Sequence, residues 1–260
     1  MQRAPLDVGR LRAALTARWT QIDVVDETAS TNAELLARPD LGDRVVLAAE
    51  HQTSGRGRFE RVWTSPPRAG LTFSATVRPQ APLARWGWLP LLAGVAMAEA
   101  VRDETGVAAA LKWPNDLLLG GRKAAGILAQ TFGAELVVIG IGLNVSTPRA
   151  QLPLPTATSL ALEGATSLDR TALLVAILTR LDVRAAQWAE VGGDARACGL
   201  ANAYRDLCAT IGTRVRVSGA DGSALEGDAD DLDADGHLIV RSGGSTRTIG
   251  AGDVEHLRPA

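Results

Sequence analysis

The chain's 260 residues carry 27 Lys and Arg against 29 Asp and Glu, a net charge of -2, and 46% are hydrophobic. This is enough apolar matter for a full core, and the balance argues against a general polyanion binder, leaving cationic chemistry to local sites. The run from Leu83 to Val101 is broken by Arg85, Pro90, Gly94 and Glu99, which excludes a membrane span; Cys198 and Cys208 lack metal-ligand spacing, so reduced thiols and a cytoplasmic location are expected.

In chain order, Val8, Leu11 and Leu15 share one face of a helix predicted over Leu6 to Trp19. With the next motif starting at Ser30, no room is expected before it for a DNA-reading helix-turn-helix module. Ile22 to Val25 reads as a strand. Thr31-x-x-Glu34 reads as a capping box that would start a helix and turn free N–H groups outward beside the Ser30 and Thr31 hydroxyls, although an ordinary helix start has the same pattern.

Val45 to Glu50 is a strand that delivers the run Gln52 to Trp63, with Gly55-Arg56-Gly57-Arg58 at its heart. Alternate glycines permit close approach of backbone to ligand, and the arginines are planar, permanent cations suited to carboxylate or phosphate. A solvated basic turn or an RNA contact has the same composition. Without an anion, Arg56, Arg58 and Arg61 repel one another and the glycines carry high chain entropy, so the loop is expected to be mobile until a ligand orders it.

Gly70 to Val77 reads as a strand with one buried face, and Leu83 to Glu104 as a core helix closed by Gly106. Two apolar stretches flank Gly120-Gly121, a hairpin signal; Pro114 leaves Asn115 and Asp116 on an irregular edge. Lys123, followed by small residues and Gly126, is placed either in a pocket or, as for most lysines, on the surface. Glu135 to Val145 is an apolar strand with Gly140 and Gly142 on one face, leaving space for a ligand or for tight packing, and Asn144 at its end. The spacing of these glycines and lysines fits neither a Walker loop nor a dinucleotide fingerprint.

Pro148 to Leu168 reads as loop, and Leu168 to Ala189 and Ala195 to Leu207 as helices. A boundary near Ile211 separates residues 1–211 from a predicted small β-barrel at 212–260, with strands at Thr213 to Val217, Ala224 to Leu232, His237 to Arg241 and Thr246 to Ile249. Seven acidic residues from Asp221 to Asp235, with no Lys or Arg among them, predict an anionic edge that keeps the barrel soluble or meets a partner. His51, His237 and His256 have no flanking nucleophile or metal-ligand pattern.

Taken together, Ser30-Thr31-Asn32, the Gln52 to Trp63 run, Lys112-Trp113-Pro114-Asn115-Asp116, Arg122-Lys123-x-x-Gly126-Ile127-Leu128 and Gly140-x-Gly-x-Asn144 resemble the biotin protein ligases. The resemblance implies an α/β (α+β) fold: a mixed sheet flanked by helices, akin to class II aminoacyl-tRNA synthetase catalytic domains, plus an SH3-like C-terminal barrel. It implies a monofunctional ligase, without the DNA-binding module of bifunctional members, that makes biotinyl-5'-AMP from biotin and ATP with Mg²⁺. The biotin then passes to a lysine of a biotin carboxyl carrier protein.

By the same resemblance, Ser30, Thr31, Asn32, Gln52, Gly55, Arg56, Gly57, Arg58, Lys123, Gly126, Gly140 and Gly142 bind biotin. Arg58, Arg61, Trp63, Lys112, Asn115 and Asn144 bind ATP, Trp63 by stacking on adenine. Arg58, Lys123 and Asp116 are catalytic, with Asp116 either a magnesium ligand or an orienter of the incoming amine. Neither specific nucleic acid nor membrane is an expected partner, and the expected state is a monomer or weak homodimer. The family commonly has Gly where this chain has Glu60, which adds a carboxylate among the arginines. Lipoate ligases and octanoyl transferases share the fold, but the arginine loop with Lys-Trp-Pro-Asn-Asp favours biotin. A non-catalytic sensor or an RNA binder is disfavoured by the near-neutral charge and the lack of interleaved aromatics.

Overall fold

A computed structural model describes residues 3–219 and 223–257, and of Glu60 the backbone only. Asp221 of the acidic stretch and the Glu60 side chain therefore lie outside the described residues. The elements in order are α1 (Val8–Leu15), β1 (Gln21–Thr28), α2 (Thr31–Leu36), β2 (Val45–Gln52), β3 (Gly55–Arg56), β4 (Val62–Trp63), β5 (Gly70–Val77), α3 (Trp88–Thr105), β6 (Ala109–Lys112) and β7 (Asp116–Leu119). After them come β8 (Arg122–Phe132), β9 (Leu136–Asn144), α4 (Arg170–Glu190), α5 (Leu200–Leu207), β10 (Arg214–Ser218), β11 (Ala224–Leu232), β12 (Leu238–Ser242), β13 (Ser245–Ile249) and β14 (Asp253–His256).

Seven strands form one sheet in the order β1-β2-β5-β9-β8-β7-β6, parallel only between β1 and β2. Residue alternation divides its two faces. Val46, Ala48, Phe73, Ile139 and Ile141 join the main core with α1, α3 and α4, whereas Val45, Leu47 and Val138 join a smaller core under Leu35 of α2. Gly140, under the start of α2, and Gly142 continue the second face, so that face of β9 ends in a trough.

Local chemistry moved several predicted boundaries. The helix cap at α2 is Ser30, whose Oγ accepts from Ala33 N at 3.4 Å, and Glu34 instead accepts from Thr28 Oγ1 at 2.5 Å, so Thr31-x-x-Glu34 is not the box. Strand β5 is buried on both faces, its Thr72, Ser74 and Thr76 hydroxyls being spent on internal hydrogen bonds. Asn115 stays in the turn before β7, and Asp116 opens that strand in register with Lys112 and Gly126, just ahead of a register shift between Leu117 and Leu118. Gly120 and Gly121, at φ 53° and 75°, supply the left-handed turn that the hairpin demands.

The C-terminal strands form one antiparallel sheet, β13-β12-β11-β10-β14, whose last member was not anticipated. Its acidic stretch is largely countered: Asp230 pairs with Arg241 at 2.8 Å and Asp231 with Arg205 at 2.7 Å. The sheet is fastened to the first unit through its β11–β12 loop, where Ala234 O accepts from Trp88 Nε1 at 3.0 Å and Gly236 O from Trp113 Nε1 at 3.1 Å. Among the described residues no helix is long and apolar enough to cross a membrane.

A buried ion pair ties α4 to the sheet. Arg170, 7% exposed, has its Nη2 2.7 Å from Glu50 Oε2 and donates to Ala4 O at 2.7 Å and Gly70 O at 3.2 Å; Glu50, 6% exposed, also accepts from Leu6 N at 2.6 Å. Removing one member strands the other without countercharge. Arg170→Ala is expected to lower stability by about 3–5 kcal/mol, read from the urea midpoint at constant slope.

Candidate active site

The trough is floored by glycine for a steric reason. A Cβ on Gly140 would stand 2.1 Å from Asn32 Oδ1, and one on Gly142 2.4 Å from Trp63 Cε2. Asn32 is held in place: Oδ1 accepts from Ser74 Oγ at 2.6 Å while Nδ2 donates to Leu128 O at 3.1 Å and Gln130 Oε1 at 2.8 Å. Beside it, Gln52 Oε1 accepts from Thr31 N at 2.8 Å and Thr31 Oγ1 at 3.0 Å, and Ser74 Oγ lies 2.7 Å from Thr31 Oγ1. Ser30, Thr31, Asn32 and Gln52 thus form one buried polar wall. Ser74 and Gln130 belong to it and were not singled out from the sequence; the alternation of polar residues along Thr72, Ser74 and Thr76 was the available signal.

The facing side carries the charges. Lys123 Nζ lies 2.5 Å from Asp116 Oδ1 and its side chain packs along Gly126, where a Cβ would be 3.7 Å from Nζ. This lysine is therefore neither extended into solvent nor free of a partner. The Arg58 guanidinium is largely buried, and that burial pushes its pKa below the usual arginine range; Asp253 and Asp116 oppose the shift, and Arg61 adds to it. It remains a cation at neutral pH, but a poorly hydrated one whose field acts more strongly on a neighbouring anion. Asp116 thus pairs with Lys123, and its charge also reaches Arg58.

The arginine loop folds over the trough. Gly55 and Trp63 pair in the β3–β4 ribbon, Gly57 N donates to Arg61 O at 2.6 Å, and Phe59 takes a left-handed backbone (φ 52°) with its ring 4.9 Å beneath the Arg58 guanidinium. The repulsion expected to keep the loop mobile is offset from within the chain. Arg58 donates to Gly252 O at 3.2 Å and Arg61 pairs with Asp253, both from the C-terminal sheet. Arg56 is exposed. The Trp63 indole covers Gly142, with Cζ3 3.6 Å from where a Gly126 Cβ would lie, and its Nε1 is buried without a partner.

The expected nucleotide ligands are partly committed elsewhere. Asn115 Nδ2 donates to Ile127 O at 2.8 Å, and Asn144 Nδ2 to Thr158 O at 3.0 Å, so each amide braces backbone. Lys112 is half-buried near His256, whose pKa is lowered first by burial and then by that lysine. The three-ligand cluster found among the described residues, Asp233, Asp235 and His237, belongs to the β11–β12 loop and not to this trough.

A glycine-floored trough with a polar wall on one side and fixed cations on the other defines a class of ligases that activate a carboxylate. Residues 22–145 match the biotin/lipoate A/B protein ligase family and residues 210–257 the biotin protein ligase C terminal domain. The biotin--[acetyl-CoA-carboxylase] ligase of Mycobacterium tuberculosis is 44% identical over 98% of this chain and 97% of its own length. The bifunctional ligase/repressor BirA of Bacillus subtilis is 31% identical over 90% of this chain and 72% of its own. Among solved structures, the biotin protein ligase of Aquifex aeolicus in complex with biotin and ATP superposes with a TM-score of 0.79 at 25% identity, covering 93% of this chain and 100% of that one. The chain belongs to the biotin protein ligases.

Gly142→Ala is expected to lever Trp63 off the sheet, because the clash is with a rigid ring, while the strand stays paired. Faster hydrogen exchange at residues 55–63 with little change in β8 and β9 checks it.

Proposed function

We propose that Arg58, Lys123 and Asp116 carry the two-step reaction of this ATP-dependent biotin ligase, and that the observation bearing most weight is their assembly beside the glycine trough. In the first step an oxygen of the biotin carboxylate bonds to the α-phosphorus of ATP, the bond to the β-phosphate bridge breaks, and pyrophosphate leaves. In the second, the ε-amine of a carrier lysine bonds to the acyl carbon, AMP leaves with the bonding pair, and the amine gives up its proton. Both steps concentrate negative charge, so cations fixed in advance in a poorly hydrated site are the strongest help available.

Ser30, Thr31, Asn32 and Gln52 offer donors and acceptors to the ureido head of biotin, with Gly55, Arg56 and Gly57 closing over it and Gly126, Gly140 and Gly142 giving the bicycle room. Lys123 meets the carboxylate and the α-phosphate. Trp63 stacks on adenine after leaving Gly142, which also gives its buried N–H access to an acceptor. Asn115 and Asn144 frame the base, while Lys112 and Arg61 face the phosphates. Once adenylate is made, Asp116 can release Lys123 and orient the incoming amine.

Magnesium fits this donor set as a companion of the nucleotide: a single carboxylate, Asp116, plus phosphate oxygens suits an ion that retains most of its waters. When bound it neutralises phosphate charge. We further propose a division into residues 1–211, which hold biotin and ATP, and 212–260, and a cytoplasmic enzyme, monomeric or weakly dimeric, without sequence-selective DNA binding. Its partner is a biotin carboxyl carrier protein, in keeping with the acetyl-CoA-carboxylase ligase it resembles.

Incubation with labelled biotin, ATP and a carrier domain tests the whole; no label on the carrier overturns it. Lys123→Ala is expected to slow pyrophosphate exchange by about 10²- to 10³-fold with the fold intact. Arg58→Ala is expected to let adenylate escape, so that lysines of bystander proteins become labelled; strict carrier labelling despite measurable adenylate synthesis would remove the retention role from Arg58.

A further inference from the structure

Lys123 reaches the trough because β8 carries an extra residue. Leu117 of β7 stands opposite Ala125 and Leu118 opposite Lys123, so Ala124 has no partner of its own on β7. Strict alternation would put Lys123 on the core side with Ala125 and Ile127; the bulge turns it to the side of Gly126, along which its side chain lies. The end of a bulged strand is short of partners, and β9, which pairs with β8 only from Ala125 onward, does not supply them. A strap of residues 156–163 does. Thr156 O accepts from Lys123 N at 2.9 Å, and Thr158 N donates to Lys123 O at 2.8 Å.

Thr158 is the fixed point of that strap. It is fully buried, and while its N–H meets Lys123, its carbonyl accepts from Asn144 Nδ2 at 3.0 Å and its hydroxyl donates to Glu163 Oε1. Glu163 is held in turn, because the same oxygen accepts from Arg122 Nη2 at 2.6 Å. One residue thus grips the main chain of Lys123 and the side chain of Asn144, and a carboxylate braces it from behind. We propose that Thr158 is a positioning residue for the first half-reaction, setting where Lys123 and Asn144 stand relative to each other, and that Glu163 anchors it. This rests on the roles given to Lys123 and Asn144 above.

A lysine needs such help more than most groups. Its charge rides on a flexible four-carbon stem, so the protein controls the ammonium chiefly through the position and direction of the backbone that carries it. Reacting groups tolerate little error: a displacement of about 1 Å can cost about 10²-fold in rate. The strap's apolar hold comes from Leu160, which lies in the main core, and its neighbours Leu160 N and Ala161 N donate to Asn144 O and Val145 O at 3.1 and 2.9 Å. The bond from Thr158 to Glu163 buries nothing apolar. It is a charge-assisted bond at the turn from which the contacts to Lys123 and Asn144 are made, and it stiffens that turn.

Thr158→Val keeps the shape of the side chain and removes its donor. Its kcat for biotin-dependent pyrophosphate exchange is expected to fall about tenfold, while KM for biotin stays within about twofold, because the polar wall of Thr31 and Gln52 lies on other elements. Thr158→Ser, which keeps the hydroxyl, should return kcat to within about twofold of the parent. Glu163→Ala removes the same bond from its other end and should lose rate to the same order, with the double variant losing no more than the larger single loss, to within about twofold. An unchanged kcat in Thr158→Val overturns the proposal, as does a failure of Thr158→Ser to recover, or a rise in KM for biotin that matches the fall in kcat, which marks general loosening. A second measurement needs no catalysis. The chain has two lysines, Lys112 and Lys123, so acetylation of amines read by mass spectrometry resolves them. Lys123 Nζ is held 2.5 Å from Asp116 in the parent, and in Thr158→Val and Glu163→Ala its labelling relative to Lys112 is expected to rise several-fold. An unchanged ratio overturns the proposal even if the parent chain labels no carrier.

Discussion

The site depends on side chains that are missing. Three glycines, Gly126, Gly140 and Gly142, share one face of β8 and β9, Gly140 lying under Asn32 of α2 and Gly142 under Trp63, and the register sets Gly126 opposite Gly142. Any Cβ at Gly140 or Gly142 would collide with a neighbour that is itself fixed, Asn32 by three hydrogen bonds and Trp63 by its ring. The trough is therefore a constraint on everything around it. The polar wall can come this close to the sheet only because the floor is bare backbone.

Charge balance explains how a loop rich in arginine is held folded. A loop of like charges has to be compensated or dispersed, and here the compensation comes from the C-terminal sheet: a carbonyl for Arg58 and a carboxylate for Arg61. The Arg61–Asp253 pair is largely exposed, and such a pair contributes at most about 1 kcal/mol. That is small enough for a bound phosphate to replace. The loop is thus held by contacts weak enough to exchange.

Much of this was legible in the sequence because it is periodic or local. Alternate glycines on β9 are read from a spacing of two, the hairpin turn from the adjacent pair Gly120-Gly121, and the amphipathic α4 from a spacing of about three and a half residues, and each element formed where predicted. What escaped was either reinterpreted by neighbours or made by distant ones. Ser74 looked like part of a half-exposed strand, and became a hub of the polar wall because α2 covers it. Gly252 is 194 positions from Arg58, and nothing in either segment announces the other.

Trp63 connects these threads. Burying an indole N–H without an acceptor costs roughly 1–3 kcal/mol, and Trp63 offsets that by laying its apolar ring over the bare floor at Gly142. The arrangement is stable but not satisfied. Any ligand that offered a flat partner to the ring and an acceptor to Nε1 would remove that penalty. Ligands meeting the ring and the backbone beneath it would then be coupled through Trp63, and such coupling would be reciprocal by thermodynamic necessity.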